Sequence, residues 1–442
     1  MKLQRLARAS RSPRQPSNGS ATAPLVAVSA VALAAFACGP QEPATESDGT
    51  WVGTITTEGN VTTVVNESGS VWGGTARLVE EASIGVESGA EEYMFGGVSS
   101  VYATDDRIYV VDRQAPAVRV YGHDGDFIRT LGREGQGPGE YQSPSVLAVH
   151  PASGRVFVFD TLLDRVNVYS GAGEPEATWP VPDIPCCGRR MWAPMSDRLW
   201  LPVKSFDQEM GERREGVQAH GPDGPQGGAR WIPEIRYERI TFDAEGSTVP
   251  VPFAASVDWT PTPDGDLVAG ASDSYSFEVH EPDGSALVVE RFWEPVPVPA
   301  EHREWQRRFV VAQFREIGMR GLNWDGSGIP AHKPAFDFLL AARSGEVWVE
   351  REGPSERLPN CVDDPLEAGS SAAGANPCWR SRYILDAFAR DGRYLGEVET
   401  PSGLWRSALR LFIDGRMVVA VVEDEAGTIM VKRYRLVLPG ER

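Results

Sequence analysis

The strongest constraint on how this chain can fold is a phrase that it repeats. Arg107-Ile-Tyr-Val-Val-Asp112 is followed by Val118-Arg-Val-Tyr121. Forty-eight residues later, Arg155-Val-Phe-Val-Phe-Asp160 is followed at the same interval by Val166-Asn-Val-Tyr169. Two β-patterned segments repeated in register, tens of residues apart, belong to a stacked or radial array of like units and not to one α/β core.

The phrase supplies a ruler. Nine residues after Asp112 stands Tyr121, and just beyond it Asp124-Gly125. Asp-Gly after a strand reads as a tight hairpin, because the turn needs a positive φ that glycine adopts at little cost. The same offsets recur at Ala271, His280 and Asp283-Gly284, and the third strand Tyr383–Phe388 leads to Asp391-Gly392. Glu346–Arg351 reads as a second strand; Arg198–Val203 and Arg416–Val421 are weaker copies. The anchors fall near residues 112, 160, 203, 271, 351 and 421, which makes six units. Inner strands are expected at Val98–Tyr102, Ser145–Val149, Ala254–Trp259 and Ala335–Leu340. Six units of four short antiparallel strands, arranged radially, make an all-β fold, a six-bladed β-propeller with one inserted helix. A ring avoids exposed sheet edges if one blade draws strands from both termini. Within residues 51–92, the strand-rich stretch Trp51–Leu78 is expected to close the ring against Ile429–Val437. Two β-sandwich domains are the alternative, and the in-register repeat argues against them.

The N-terminus reads as an export signal. Lys2, Arg5, Arg8, Arg11 and Arg14 form a basic stretch without an acid, and Pro24–Ala37 is apolar over about 14 residues, too short for an ordinary membrane span. Small residues at Ala35 and Ala37 fit a signal-peptidase site, so residues 1–37 are predicted to be removed. Cys38 follows directly and resembles a bacterial lipobox cysteine, although Phe36 and Ala35 depart from the usual pattern; plain secretion with a free Cys38 thiol is the alternative. Residues 38–50 read as a polar tether and 51–442 as the propeller. Loss of residues 1–37 removes five positive charges and takes the net charge from −19 to −24. So acidic a chain repels phosphate backbones, which excludes nucleic acid as the expected partner.

Gly132-Arg-Glu-Gly-Gln-Gly-Pro-Gly-Glu-Tyr141, then Pro144 and the strand-turn-strand Val146–Asp160, resembles the blade junction of NHL-type repeats. The chain beyond the signal resembles the bacterial six-bladed β-propeller lipoproteins built from such repeats, most closely over residues 93–170. The resemblance implies a propeller fold and an envelope location. It implies no activity, because that superfamily includes binders, lyases and lactonases.

Motifs that could carry chemistry are sparse. The glycine-rich segment 132–139 lacks the Gly-Lys-Ser/Thr ending of a phosphate loop and reads as the crossing between two blades. The Asp-Gly sites lack the alternating ligands of a calcium loop. His123, His150, His220, His280, His302 and His332 show no pair at metal-ligand spacing, and there is no nucleophile elbow. A propeller ligand commonly sits at the mouth of the central channel. On that geometric ground the candidates are Arg189, Arg190, Asp258, Trp259, His332, Lys333, Asp337 and Arg406, each of which could equally be a packing or loop residue.

Two departures from the repeat stand out. Pro299–Ile317 predicts a helix with Trp305, Phe309 and Ala312 on one stripe and Val310, Phe314 and Ile317 on its neighbour, ended by Gly318. It is expected to be either a cap over the channel mouth or cover for exposed strand ends. The second departure is an insertion at residues 352–380, flanked by Cys361 and Cys378. In an oxidising compartment these two should pair; closing a loop of about 17 residues contributes roughly 3 kcal/mol in the chain-entropy model. Cys186 and Cys187 are adjacent and are either bridged to each other or both reduced, with cross-pairing to the insertion a third case.

The function expected from these features is a ligand- or protein-binding module at the cell envelope, without cofactor or catalytic residues. It would be a monomer touching the membrane through its anchor alone, and its partner an envelope protein, a small molecule or a glycan. The alternative is a metal-dependent lactonase-like hydrolase or a lyase, with a divalent cation held at the channel mouth by side chains from several blades. Any specific function is expected where the phrase is interrupted.

Overall fold

The repeated phrase forms the two middle strands of a blade. In the first blade Val98–Ala103, Arg107–Asp112, Ala117–Gly122 and Phe127–Leu131 run antiparallel in sequence order. Pro144–Val149, Val156–Asp160, Arg165–Tyr169 and Pro175–Pro180 repeat this in the second. Val156–Asp160 is buried throughout, whereas Phe127–Leu131 alternates between sheltered and exposed positions. A blade is sandwiched between two neighbours, so its middle strands bury both faces and read as unbroken apolar runs. In the seam between the first two blades, Tyr109, Val111, Val118 and Val120 meet Leu147, Val149, Val156 and Val158.

This computed structural model describes residues 44–48, 50–181, 190–193, 198–207, 212–405 and 407–441, with the backbone path alone for 44–48, 206–207 and 212–213. Cys38, Cys186, Cys187, Arg189 and Arg406 lie outside the described residues.

The aspartate that ends the phrase is a structural clamp. Asp160 is fully buried and its carboxylate accepts from the backbone N–H groups of Gln142, Ser143, Leu162 and Leu163 at 2.6–3.1 Å. Asp112 accepts from Gly96, Gly97, Gln114 and Ala115 in the same way and also from Arg119 Nη1 at 3.0 Å. Each ties the turn after the second strand to the loop that leads into the blade. In the fourth blade, where the phrase ends in Ala271, the next residue takes over: Ser272 Oγ accepts from Ser256 N–H and donates to its carbonyl.

The other blades follow the ruler with modifications. The third has Leu199–Asp207, Glu212–Gly221 and Gly224–Trp231, with Trp192 bridging to Trp200 on its inner side, so among the described residues it has three full strands and not the expected four. The fourth is Val257–Pro261, Leu267–Ala271, Ser276–His280 and Ala286–Arg291. The fifth is Phe338–Ala341, Val347–Arg357, Trp379–Phe388 and Tyr394–Glu399; the sixth opens with Leu411–Asp414, Met417–Glu423 and Ile429–Val437. The Asp-Gly turns are hairpins as expected, with Gly125 at φ 93° and Gly392 at φ 85°.

Ring closure differs from the expectation in its details. The strand that completes the sixth blade is Ala76–Ile84, which runs antiparallel to Ile429–Val437 from Arg77 opposite Val437 to Ile84 opposite Val431. The earlier hairpin, Trp51–Glu58 and Val61–Ser68, instead joins the rim of the fourth blade, where Val61–Asn66 pairs parallel with Ala286–Arg291. Asn66 explains the docking. Its side chain accepts from Trp51 Nε1 and Tyr394 N–H and donates to the carbonyls of Glu290 and Gly392, joining hairpin, fourth blade and fifth blade. Residues 44–48 also pair with the hairpin, so the stretch expected to be a tether is in part a strand.

Both departures appear where the sequence places them. The helix α1 spans Ala300–Glu316, with Pro299 at its N-cap. The insertion is narrower than expected. The second and third strands of the fifth blade stay paired out to Arg357 opposite Trp379, and the segment beyond holds two short helices, α2 (Pro365–Ala368) and α3 (Ser370–Ala375), closed by the Cys361–Cys378 disulfide. A third interruption was not anticipated, the hairpin Thr241–Ala244 and Ser247–Pro250. The helix α1 packs on both neighbours. Val310 and Val311 join Phe242, Ala244 and Val251 of the hairpin segment, while Trp305 joins Ala373 and Cys378 of the insertion. Ile317, expected on the buried stripe, is 70% exposed, because α1 has ended and turned away before it.

Candidate functional site

The inner strands converge on a narrow channel. A cavity of about 150 Å³ is lined from all six blades, including Val101, Leu147, Trp192, Thr260, Leu340 and Leu411. Of the candidates, Arg190 lines this cavity and is held by Asp258 and Trp259 beside it. Arg190 Nη2 lies 3.1 Å from Asp258 Oδ2, and Arg190 Nη1 donates to the carbonyls of Trp259 and Leu339. Asp258 Oδ2 also accepts from Leu339 N–H at 2.7 Å. Trp259 donates through Nε1 to Glu215 at 3.0 Å and packs against Trp192, with ring centroids 5.6 Å apart. These residues join the third, fourth and fifth blades across the axis. No residue of α1 lines this cavity; the helix packs on the 241–250 hairpin and on the disulfide-closed insertion.

A much larger cavity, about 960 Å³, lies between the interruptions. Its walls come from the loop after the 241–250 hairpin, from α1, from the extended strands of the fifth blade and from the crossing at 399–404 that leads to the sixth. Five prolines stand in these walls, Pro250, Pro252, Pro334, Pro377 and Pro401. Proline fixes φ and removes a backbone donor, so the frame is stiff.

One wall is aromatic. His302 of α1 is 5% exposed, stacks on Trp379 at 5.0 Å and 11°, and meets Phe253 edge-on at 5.0 Å and 75°. Its Nδ1 lies 2.9 Å from Ser355 Oγ, which fixes the ring and turns Nε2 the other way. Desolvation, and secondarily the Lys333 ammonium, push the imidazole down to about 4, so it is neutral at physiological pH. Phe253 holds φ at +62°, a left-handed conformation unusual for an aromatic residue. The turn in which Ala254 N–H donates to the Val251 carbonyl keeps it there. Backbone strain of this kind concentrates at functional sites.

The other wall is charged in pairs. Lys333 is fully buried; its Nζ donates to Gly353 O at 2.7 Å and to Ser381 Oγ, and lies 3.0 Å from Glu352 Oε2. Arg380 lies 3.4 Å from Glu356, and Arg382 3.4 Å from Glu399, both on the open side. Asp337 also lines this cavity.

Of the candidates, Asp337 and, just behind the wall, Lys333 belong to the large cavity; Arg190, Asp258 and Trp259 belong to the channel as structural contacts. His332 is exposed, bridges to Pro297 and lines neither cavity. The residues missed are His302, Phe253 and Trp379. No spacing marks them, since they lie on three segments that meet only in the fold. The nearest signal is that each flanks or occupies an interruption of the repeat. Among the described residues, one grouping of metal-ligand atoms is close enough to hold an ion: Cys361, Asp363 and Cys378. The disulfide consumes both sulfurs, so they offer no thiolates to an ion. No helix among the described residues is long and apolar enough to cross a membrane.

Fold and site together define a six-bladed β-propeller with a walled cavity on one face. The model of the DUF5128 family, described as a 6-bladed beta-propeller, matches residues 88–201, the first two blades and the start of the third. Among solved structures, the chain is similar to a DUF4221 family member from Bacteroides vulgatus, at 9% identity and a TM-score of 0.48, covering 82% of this chain and 99% of that one. It is also similar to a protein of Bacteroides fragilis described as exported, at 9% identity and a TM-score of 0.45, covering 84% and 99%. Virginiamycin B lyase from Staphylococcus aureus is similar at 9% identity and a TM-score of 0.36, covering 77% and 95%. No curated protein matches the sequence.

Proposed function

We propose that this chain is an exported, lipid-anchored propeller that binds a ligand in the large cavity among the three interruptions of its repeat. The observation that carries the reading is convergence: three separate interruptions of the repeat supply the walls of one cavity of about 960 Å³. A ring needs none of them to close. Ligand sites are concave, mostly preformed and few per protein, and here proline-rich walls and a strained Phe253 frame such a site. The channel offers less. Its volume is about 150 Å³, and its lining is largely apolar with Arg190 and Arg343; the Asp258 carboxylate is already occupied by Arg190 and a backbone N–H. That arrangement favours a binding module over the metal-dependent hydrolase. Export and acylation rest on the basic stretch, the apolar run and Cys38; the mass of the mature N-terminus tests them.

Ser402 is exposed and lines the cavity, so Ser402→Trp would fill it without touching the core. In a thermal-shift screen, a ligand of this site raises the melting temperature of the native protein and not of the Ser402→Trp variant. Equal shifts in both would sink the reading.

A further inference from the structure

We propose that the cavity takes a neutral polyhydroxylated ligand, an uncharged oligosaccharide of several rings. This rests on the ligand-binding reading of the same cavity and assigns its chemistry. The charges in the wall are matched: Arg380 with Glu356, Arg382 with Glu399, and Lys333 with Glu352. Asp337, the remaining wall carboxylate, is engaged within the protein, although its buried Oδ2 accepts no hydrogen bond. The imidazole of His302 adds no charge at neutral pH. Four carboxylates thus face three cations around the cavity, and an anion finds no uncompensated partner there. To bind there, an anion would have to break an existing pair.

The two outer pairs are long, at 3.4 Å, and their side chains are 47–60% exposed. Such pairs hold each other weakly. Each carboxylate can accept, and each guanidinium donate, at several further positions. Vicinal hydroxyls match that set, since each hydroxyl donates to a carboxylate while accepting from a guanidinium. The apolar wall, Phe253 and the His302–Trp379 stack with Leu358 and Leu404, suits the C–H faces of sugar rings. The cavity is at the upper end of the ligand-site range of about 300–1,000 Å³, which favours several rings over one.

The test uses isothermal titration of the full mature chain with defined pentasaccharides: neutral ones of glucose (α and β linked), mannose, xylose and N-acetylglucosamine. Glucosamine and galacturonic acid pentamers supply the cationic and anionic counterparts, and a pool of neutral pentapeptides is the control. At least one neutral sugar is expected to bind, the charged pentamers at least about tenfold more weakly, and Glu399→Gln and Arg382→Gln each to weaken binding about tenfold with unchanged melting temperature. Binding of no neutral sugar, or tighter binding of a charged pentamer, overturns the assignment. Peptide binding that Ser402→Trp abolishes overturns the ligand class and leaves the cavity reading standing. Sugar binding undiminished in Ser402→Trp and Glu399→Gln overturns the placement.

Discussion

Arg351 and Asp386 form in the fifth blade, with the charges exchanged, the ion pair that Asp112 and Arg119 form in the first. Val110 lies opposite Arg119 and Val349 opposite Asp386, so the two pairs occupy the same places on the second and third strands. Arg351 Nε donates to Asp386 Oδ2 at 2.7 Å, and Arg119 Nη1 to Asp112 Oδ2 at 3.0 Å. The exchange has a local cause. Asp386 is fully buried and also accepts from Tyr275, Tyr394 and Arg291, a donor set that only an acid can satisfy.

Replacing Asp386 should therefore be among the most damaging single changes in the ring. Asp386→Ala leaves Arg351 and Arg291 without their shared buried acceptor, and removing one partner of a buried pair costs about 3–5 kcal/mol. Urea denaturation measures it. The double exchange Arg351→Asp with Asp386→Arg should not restore stability, because the new arginine would face Arg291.

The clamp at the end of the phrase gives a graded prediction. Asp160→Ala strands four backbone donors, one of them fully buried, and should cost about 3 kcal/mol. Asp160→Asn should cost less, since its retained oxygen can still serve Ser143, Leu162 and Leu163, which share Oδ1. Equal losses in the two variants, read by urea melts, would argue against the clamp.

Phe253 separates strain from packing. Phe253→Ala keeps the left-handed backbone and loses the contact with His302, whereas Phe253→Gly loses the contact and relieves the strain. Glycine should be the more stable of the two by about 1 kcal/mol. A reversed order would mean that the positive φ costs nothing.

His302 should give the fold an acid limb. Its value in the folded state, about 4, lies below the ordinary 6.5, so between these the unfolded chain binds the extra proton. Its contribution is complete above about pH 6.5 and is lost as pH falls toward 4. Denaturant midpoints recorded from pH 7 to pH 4 should fall less steeply in His302→Gln than in the native chain.

Reducing the disulfide should loosen a wall and spare the ring. Cys361 and Cys378 close a loop of 17 residues, worth roughly 3 kcal/mol in the chain-entropy model. The paired Cys361→Ser and Cys378→Ser variant should be cut by protease within 358–378, while the far-ultraviolet spectrum of the propeller persists. Global unfolding of that variant would place the insertion inside the cooperative core.

The sequence by itself determined the blade count, the register of the middle strands, the boundaries of α1 and the disulfide partners. Each depends on local chemistry: apolar runs that must be buried on both faces, glycine at positive φ, a helix bounded by Pro299 and Gly318, two cysteines close along the chain. Only the tertiary structure decided which edge each N-terminal strand joins. Ala76–Ile84 and the hairpin at 51–68 have similar strand patterns, and the choice between rims is made by Asn66 and Trp51, whose partners lie hundreds of residues away. The site was likewise out of reach of local reading. Arg190 and Asp258 were expected at a channel mouth; Arg190 lines the channel, bound to an Asp258 that stands behind it. The walled cavity depends on Phe253, His302 and Trp379, which lie on three segments that meet only in the fold.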